Sequence, residues 1–247
     1  MNRYVTAGLL VGAGALTTVA LQRWLRGHTS TTALRSANPS DLPESVVPVV
    51  TESIDVDTAT QFVSTLASVT GPVTVLLHTL GGSFFPVLQM VRAIQRRDDV
   101  TAFVPYYALS GGTLVALACN RIQMWADASL GPVDPQLAAF PATTILQVRA
   151  RKPTEALDDI TLLLAEEAEK SIRETREIVA GLVPEQSTIE RLVSGDSSHS
   201  FPISSTEART LLGPERVVVI EPSADSRALV NGVVSRMKRH GCYQIRG

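Results

Sequence analysis

Residues 71–126 read GPVTVLLHTLGGSFFPVLQMVRAIQRRDDVTAFVPYYALSGGTLVALACNRIQMWA, and this stretch decides the fold. The run from Gly71 to Thr79 is apolar and entered through a Gly-Pro turn, which predicts a core strand. Val87, Met90, Val91 and Ile94 recur at helical spacing and stop at Arg-Arg-Asp-Asp, which predicts a helix. VTAFVPYY at 100–107 predicts the next strand, GGTLVALAC at 111–119 a buried helix, and RIQMWA at 121–126 a third core strand. Strands alternating with helices at this rhythm imply βαβ units, right-handed crossovers and a mainly parallel sheet with flanking helices.

Outward from this centre the pattern continues. VVPVV at 46–50 predicts a short strand, and residues 57–69 predict a helix with Phe62, Leu66 and Val69 on one side. The longest predicted helix covers 158–180. Asp158 can cap it, Ile160, Leu163, Leu164 and Ile172 line one face, and Gly181 and Pro184 end it. VVVI at 217–220 predicts a late strand and 223–238 a final helix, and no internal repeat is present.

The first forty residues have a different character, with no Asp or Glu before Asp41. From Tyr4 to Gln22 runs an uncharged segment, YVTAGLLVGAGALTTVALQ, close to the roughly 20 residues that a membrane span needs. Arg23, Trp24 and Arg26 follow as an interfacial anchor, and Gly8 and Gly12 form a GxxxG spacing that permits close helix contact. The expected organisation is an anchor over 1–26, a polar, Pro-bearing linker over 27–45 and one globular domain over 46–247. A cleaved targeting peptide is the alternative for the acid-free N-terminus. Arg23, Arg26 and Arg35 outnumber Arg3 and the amino terminus, so the positive-inside rule puts the domain on the cytoplasmic or matrix side of a bacterial or mitochondrial inner membrane. The partner expected for residues 4–22 is membrane lipid.

A net charge of −2 offers no basic field for nucleic acid. Cys119 and Cys242 are far apart, and His28, His78, His199 and His240 are scattered, a pattern that supports neither a disulfide framework nor a metal centre.

Two glycine-rich turns carry the chemistry. His78-Thr-Leu-Gly-Gly-Ser83 follows a strand and precedes a helix, and Gly81 and Gly82 can present backbone N–H groups without a Cβ in the way, as half of an oxyanion hole or as a plain tight turn. In Tyr107-Ala-Leu-Ser110-Gly-Gly the hydroxyl of Ser110 stands at a strand-to-helix turn, beside the unpaired N–H of Gly111, where it is a nucleophile or a simple N-cap. The two turns follow successive strands. Adjacent parallel strands would set them side by side, with nucleophile and oxyanion donors in one cleft.

The segments ALSGGTLVALA and LGPVDPQL, within the larger stretch from Leu76 to Leu137, closely resemble the serine dehydrogenase proteinase family. That family is a membrane-associated branch of the ClpP, signal-peptide-peptidase-A and crotonase-like superfamily, and the resemblance runs from about Val46 to Gly213. It implies a ClpP/crotonase-like α/β fold, a serine peptidase acting on polypeptide, no cofactor, and self-association as a homo-oligomer or within a membrane complex. Ser110 matches the family serine. Superfamily members use histidine or lysine as base. With no histidine soon after Ser110, Lys152, shortly after LGPVDPQL, is the expected base of a Ser-Lys dyad, with Lys170 as its rival. A lysine serves only when neutral, so its amine must be buried and free of a carboxylate partner. His199 lies in SSHSFPI, which matches a family segment written Thr-His-Asp-Tyr-Pro-Ile. Ser200 here takes the place of its Asp, and Leu80 replaces the Pro usual before Gly-Gly. Asp134 could orient a base or bind a backbone turn, and its flanking prolines favour the turn. The competing functions are a catalytically silent assembly subunit and acyl-thioester chemistry on the same fold. No G-x-G-x-x-G fingerprint suggests a dinucleotide.

Overall fold

In the computed structural model, which describes residues 45–240, strand β2 (Val73–Thr79) is buried along its whole length. It pairs in parallel with β1 (Val46–Thr51) on one side and with β3 (Val100–Val104) and β4 (Tyr107–Ala108) on the other. Such a strand has no solvent face, which is why its sequence shows an apolar run rather than alternation. The helix α1 (Val56–Ser68) begins at Asp55, whose carboxylate accepts the Thr58 N–H at 2.8 Å. The next, α2 (Phe84–Ile94), buries Val87, Met90, Val91 and Ile94, the face that their spacing predicts. Between strand and crossover, Arg97 ties the turns together by bonding Asp99 and the carbonyls of Leu66, Val69 and Gly71.

The strand predicted over 100–107 is broken. Between the pairs Leu76↔Phe103 and Thr79↔Ala108, β2 advances three residues and its neighbour five. The surplus falls at Pro105–Tyr106, where proline has no N–H for the ladder. The same stagger recurs one strand on. Residues Val104 to Tyr107 advance three against five between Met124, in β5 (Arg121–Trp125), and Ser129, in β6 (Ser129–Leu130). The sheet therefore bends at its carboxyl edge into a second part, β4–β6–β9, where β9 (Ile203–Ser204) pairs antiparallel with β6. At the far edge β10 (Val217–Ile220) pairs in parallel with β5.

From the tip of β4 springs α3 (Gly111–Ala118), with Gly111 to Leu117 buried, as its unbroken apolar sequence requires. The last helix, α8 (Ala224–His240), packs near β1 and buries Leu229, Val230, Val233, Val234 and Met237. Over the aromatic cluster, Tyr106 Oη donates to Asn231 at 2.5 Å and Arg227 lies 5.1 Å from the Trp125 ring centroid.

After β6 the chain makes a small hairpin, β7 (Gln136–Leu137) with β8 (Phe140–Pro141), then α4 (Ala142–Arg151) and the long α5 (Asp159–Ala180). Asp158 caps α5 as expected, accepting the Thr161 N–H at 2.7 Å. The expected apolar face is corrected in part: Leu164 and Ile172 pack against the α4–α5 contact, but Ile160 and Leu163 are exposed, and the fully buried residues are Ala165, Ala168, Thr175 and Val179. Alanines let α5 approach α4 closely, with Ala142 and Ile145 in the same cluster, and Ile160 and Leu163 lie outside that contact. Two further helices, α6 (Gln186–Val193) and α7 (Ser205–Leu212), complete the described chain. No helix among the described residues is long and apolar enough to cross a membrane, and the run over 4–22 lies outside them.

Candidate active site

Ser110 joins β4 to α3 with φ 51° and ψ −118°, a left-handed conformation that costs a non-glycine residue roughly 1–3 kcal/mol. Its neighbours impose it. The Leu109 N–H donates to Thr79 O at 3.0 Å, and the Gly112 N–H donates back to Leu109 O at 2.7 Å. Thr113, buried on α3, lies 2.8 Å from Ala108 O and 2.9 Å from Gly131 O and accepts the Gly131 N–H at 3.0 Å. The Ser110 hydroxyl makes no capping bond to its helix. A serine that only capped α3 would make one.

Gly81 and Gly82 lie directly against this turn. A Cβ on Gly81 would stand 2.8 Å from Ser110 Cβ and 2.9 Å from Gly111 N, and its φ is 111°. A Cβ on Gly82 would lie 2.3 Å from Ile54 N and 2.2 Å from Ile54 O. The chain here runs beside Ile54, with Ile54 N–H to Gly81 O at 2.6 Å and Ser83 N–H to Ile54 O at 3.0 Å. Those bonds use the groups on either side of Gly82 and leave its own N–H without an acceptor among the described residues. The Gly111 N–H, at the first position of α3, is likewise free. The two are close: Gly82 N stands 3.4 Å from where a Gly111 Cβ would be. Two unpaired donors beside one uncapped hydroxyl are what an oxyanion site consists of.

Registers carry the row further. Thr79↔Ala108, Ala108↔Leu130 and Leu130↔Ile203 are paired, so the segments that follow β2, β4 and β6 and the one that precedes β9 lie at the same end of the sheet. Beyond the paired residues the chain turns at 198–201, and this turn holds His199 where it faces Asp134. Their side chains meet, with His199 Nδ1 2.8 Å from Asp134 Oδ1. The Asp134 side chain is 1% exposed, and its other oxygen accepts from Gln136 Nε2 at 2.7 Å. A buried carboxylate facing Nδ1 accepts a hydrogen bond from the Nδ1–H, which leaves Nε2 as the nitrogen without a proton. Asp134 is therefore more than a turn former: burial between two prolines aims its carboxylate at a histidine 65 residues away. The Asp that Ser200 replaces in the family segment is not needed for this couple.

The lysines are placed differently. Lys152 is exposed at the C-terminal end of α4, the opposite of the burial that its role as base requires, and nothing around it forms a desolvated pocket. The rival, Lys170, is an exposed α5 residue 3.4 Å from Glu167, an ordinary surface pair. His78, beneath the same sheet edge, is 5% exposed, with ring centroids 5.7 Å from Tyr106 and 4.2 Å from Tyr107. Burial lowers its pKa to about 4, assisted by Lys238.

Sequence reasoning missed the Asp134–His199 couple because β6 and β9 are two-residue strands with no periodic signature. The available signal was the pair of family segments containing the two residues.

Two similar curated proteins, MJ0137 and MJ1495 of Methanocaldococcus jannaschii, are both described as uncharacterized. They are 37% and 33% identical over 148 residues, each match covering 57% of this chain and 52% and 50% of the relative. The chain thus spans about half the length of those relatives. A solved mutant of ClpP1 from Listeria monocytogenes superposes with a TM-score of 0.53 at 15% identity, over 74% of this chain and 95% of that one, which establishes a ClpP-like fold. A profile described as ClpP-like SDH-type serine proteinase matches residues 47–218, the span that carries both glycine turns, Ser110, Asp134 and His199, and the chain belongs to that family.

Proposed function

We propose that the chain is a serine peptidase in which Ser110 is the nucleophile, His199 the general base, Asp134 its orienting carboxylate, and the N–H groups of Gly82 and Gly111 the oxyanion donors. The observation that carries the reading is the strained, uncapped Ser110 hydroxyl beside two unpaired N–H groups. Ser110 Oγ attacks the peptide carbonyl carbon and passes its proton to His199 Nε2, and the carbonyl oxygen takes the negative charge. The C–N bond then breaks, and His199 returns the proton to the leaving amine. Water attacks the Ser110 ester, gives a proton to His199, and the second collapse releases the carboxylic acid and restores the hydroxyl. Every proton has a carrier without a metal or redox group.

His199 is preferred to Lys152 because it has a buried carboxylate partner on the segment that follows β6, the strand paired with β4, whereas Lys152 is exposed. The test is labelling of the full-length protein with a fluorophosphonate. Wild type is expected to label and Ser110→Ala not to. Lys152→Ala is expected to label like wild type and His199→Ala to label far more slowly. The reverse ranking restores the Ser110–Lys152 dyad. No labelling of the folded wild type favours the silent assembly subunit.

Residues 4–22 are read as the membrane anchor of this peptidase, with the domain on the cytoplasmic or matrix side. Self-association, expected from the family resemblance, is measurable by light scattering.

A further inference from the structure

Thr79, the last residue of β2, is buried and touches both halves of the candidate oxyanion site. Its carbonyl accepts the Leu109 N–H at 3.0 Å, on the turn that leads to Ser110. Its hydroxyl serves the other turn. Oγ1 accepts the Gly81 N–H at 3.1 Å and donates to Gly81 O at 3.3 Å, a short side-chain turn of the kind that threonine forms with the backbone two residues on. The methyl group faces α3, 2.6 Å from where a Cβ on Gly112 would stand, which limits how far the side chain can rotate.

These bonds decide where the Gly82 N–H points. The Gly81 carbonyl and the Gly82 N–H belong to one trans peptide, so they face opposite ways. The carbonyl is held on one side by the Ile54 N–H at 2.6 Å and by the Thr79 hydroxyl. The Gly82 N–H is thereby turned to the other side, with its nitrogen 3.4 Å from where a Gly111 Cβ would be. Nothing in Gly81 and Gly82 themselves fixes this plane. Neither has a side chain, and φ values of 111° and 156° are ones that glycine adopts at no steric cost. The orientation comes from the two tethers, and Thr79 is the one that is a side chain.

We propose that Thr79 is a positioning residue for the reaction: its buried hydroxyl orients the Gly81–Gly82 peptide so that the Gly82 N–H meets the charge that develops on the substrate carbonyl. The proposal rests on the peptidase reading of Ser110. A donor aimed in advance needs no reorganisation when the charge forms, and the bond it makes is strongest in the transition state. Thr79 therefore governs the rate of attack and leaves ground-state binding and the titration of the base unchanged. In Thr79→Val the shape is kept and the hydroxyl lost, so the Gly81 N–H loses its acceptor and Ile54 alone tethers the plane.

The experiment follows acylation of Ser110 in the full-length protein by the burst of p-nitrophenol from p-nitrophenyl acetate. In Thr79→Val the maximal burst rate is expected to fall about tenfold to a hundredfold. The half-saturating ester concentration and the pH midpoint of the burst should stay as in wild type. Thr79→Ser, which keeps the hydroxyl and loses the methyl group, should restore the rate, and Thr79→Ala should be as slow as Thr79→Val. The control is Thr74→Val, at the other end of β2 and also buried, which should acylate like wild type. A wild-type rate in Thr79→Val overturns the proposal and leaves the peptidase reading in place. Equal slowing of Thr79→Ser and Thr79→Ala also overturns it, because the methyl contact with α3 would then be what matters. This serine–alanine comparison decides the question even where Thr79→Val does not fold. Absence of both the burst and fluorophosphonate labelling in folded wild type removes the peptidase reading itself, and the proposal with it.

Discussion

Acidification should weaken the fold through His78, and the size of the effect follows from its surroundings. The imidazole is buried between Tyr106 and Tyr107, its Nδ1 has no hydrogen-bond partner among the described residues, and its pKa is lowered from 6.5 to about 4. Burial disfavours the charged ring, and Lys238 on α8 opposes a second positive charge nearby. In the unfolded chain the same ring takes a proton near its ordinary value. This group's contribution to stability is therefore complete above about pH 6.5. It declines as the pH falls toward 4, and is constant below that, because both states are then protonated. At about 1.4 kcal/mol per pKa unit, the gap between 6.5 and about 4 amounts to about 3 kcal/mol. The perturbation is His78→Gln, which removes the titration and keeps a polar side chain of similar length. Urea denaturation of the full-length protein at pH 7 and pH 4 gives the pH-dependent loss for each form. Other carboxylates and histidines titrate in both, so the quantity read is the difference between the two losses. Wild type should lose about 3 kcal/mol more than the variant, whatever the variant's stability at pH 7. Equal losses would show that the ring is protonated or solvated in the folded state, and would refute the reasoning.

Replacing His199 with alanine should slow fluorophosphonate labelling of Ser110 about 10²–10⁴-fold, while Lys152→Ala leaves the rate near wild type; rapid-quench labelling reads both. Asp134→Asn should also slow it, since an amide no longer selects the tautomer with a basic Nε2, and circular dichroism checks that the fold persists. Gly82→Ala should abolish labelling and lower the thermal midpoint, because its Cβ would overlap the Ile54 backbone at 2.2–2.3 Å and push the turn off Ser110; labelling at the wild-type rate would show that the Gly82 N–H is not an oxyanion donor. Full-length protein should stay with membranes after carbonate washing and a form starting near Asp41 should not, and release of the full-length form counts against a span over 4–22.

The comparison of sequence with structure is uneven for physical reasons. Val73–Thr79, Val217–Ile220 and the Asp158 cap were readable because each is specified by neighbours a few residues away: apolar runs for buried strands, and a carboxylate next to free helix N–H groups. The same holds for the two glycine turns. Gly81, Gly82 and Ser110–Gly111 stand at strand ends, and parallel βαβ connections leave little choice about where those ends lie. Other features depend on what packs across the chain. The exposed Ile160 and Leu163 follow the periodicity of a buried face, yet α4 meets α5 at Ala165 and Ala168. The surplus residues at Pro105–Tyr106 bend the sheet, but only the ladders on either side show that β4 continues against β2.

The sequence by itself determined the fold class, the nucleophile candidate and the donors beside it, because these are local patterns repeated along a regular connection. Tertiary structure alone decided the surroundings of each candidate base. Asp134 and His199 lie 65 residues apart and come together through an antiparallel pairing of two-residue strands, too short to leave a pattern. Lys152 has suitable spacing, but whether an amine can be neutral depends on its solvation, and the fold leaves it in water. Spacing along a chain constrains which residues can meet. Burial and register, which are properties of the packed sheet, select the ones that do.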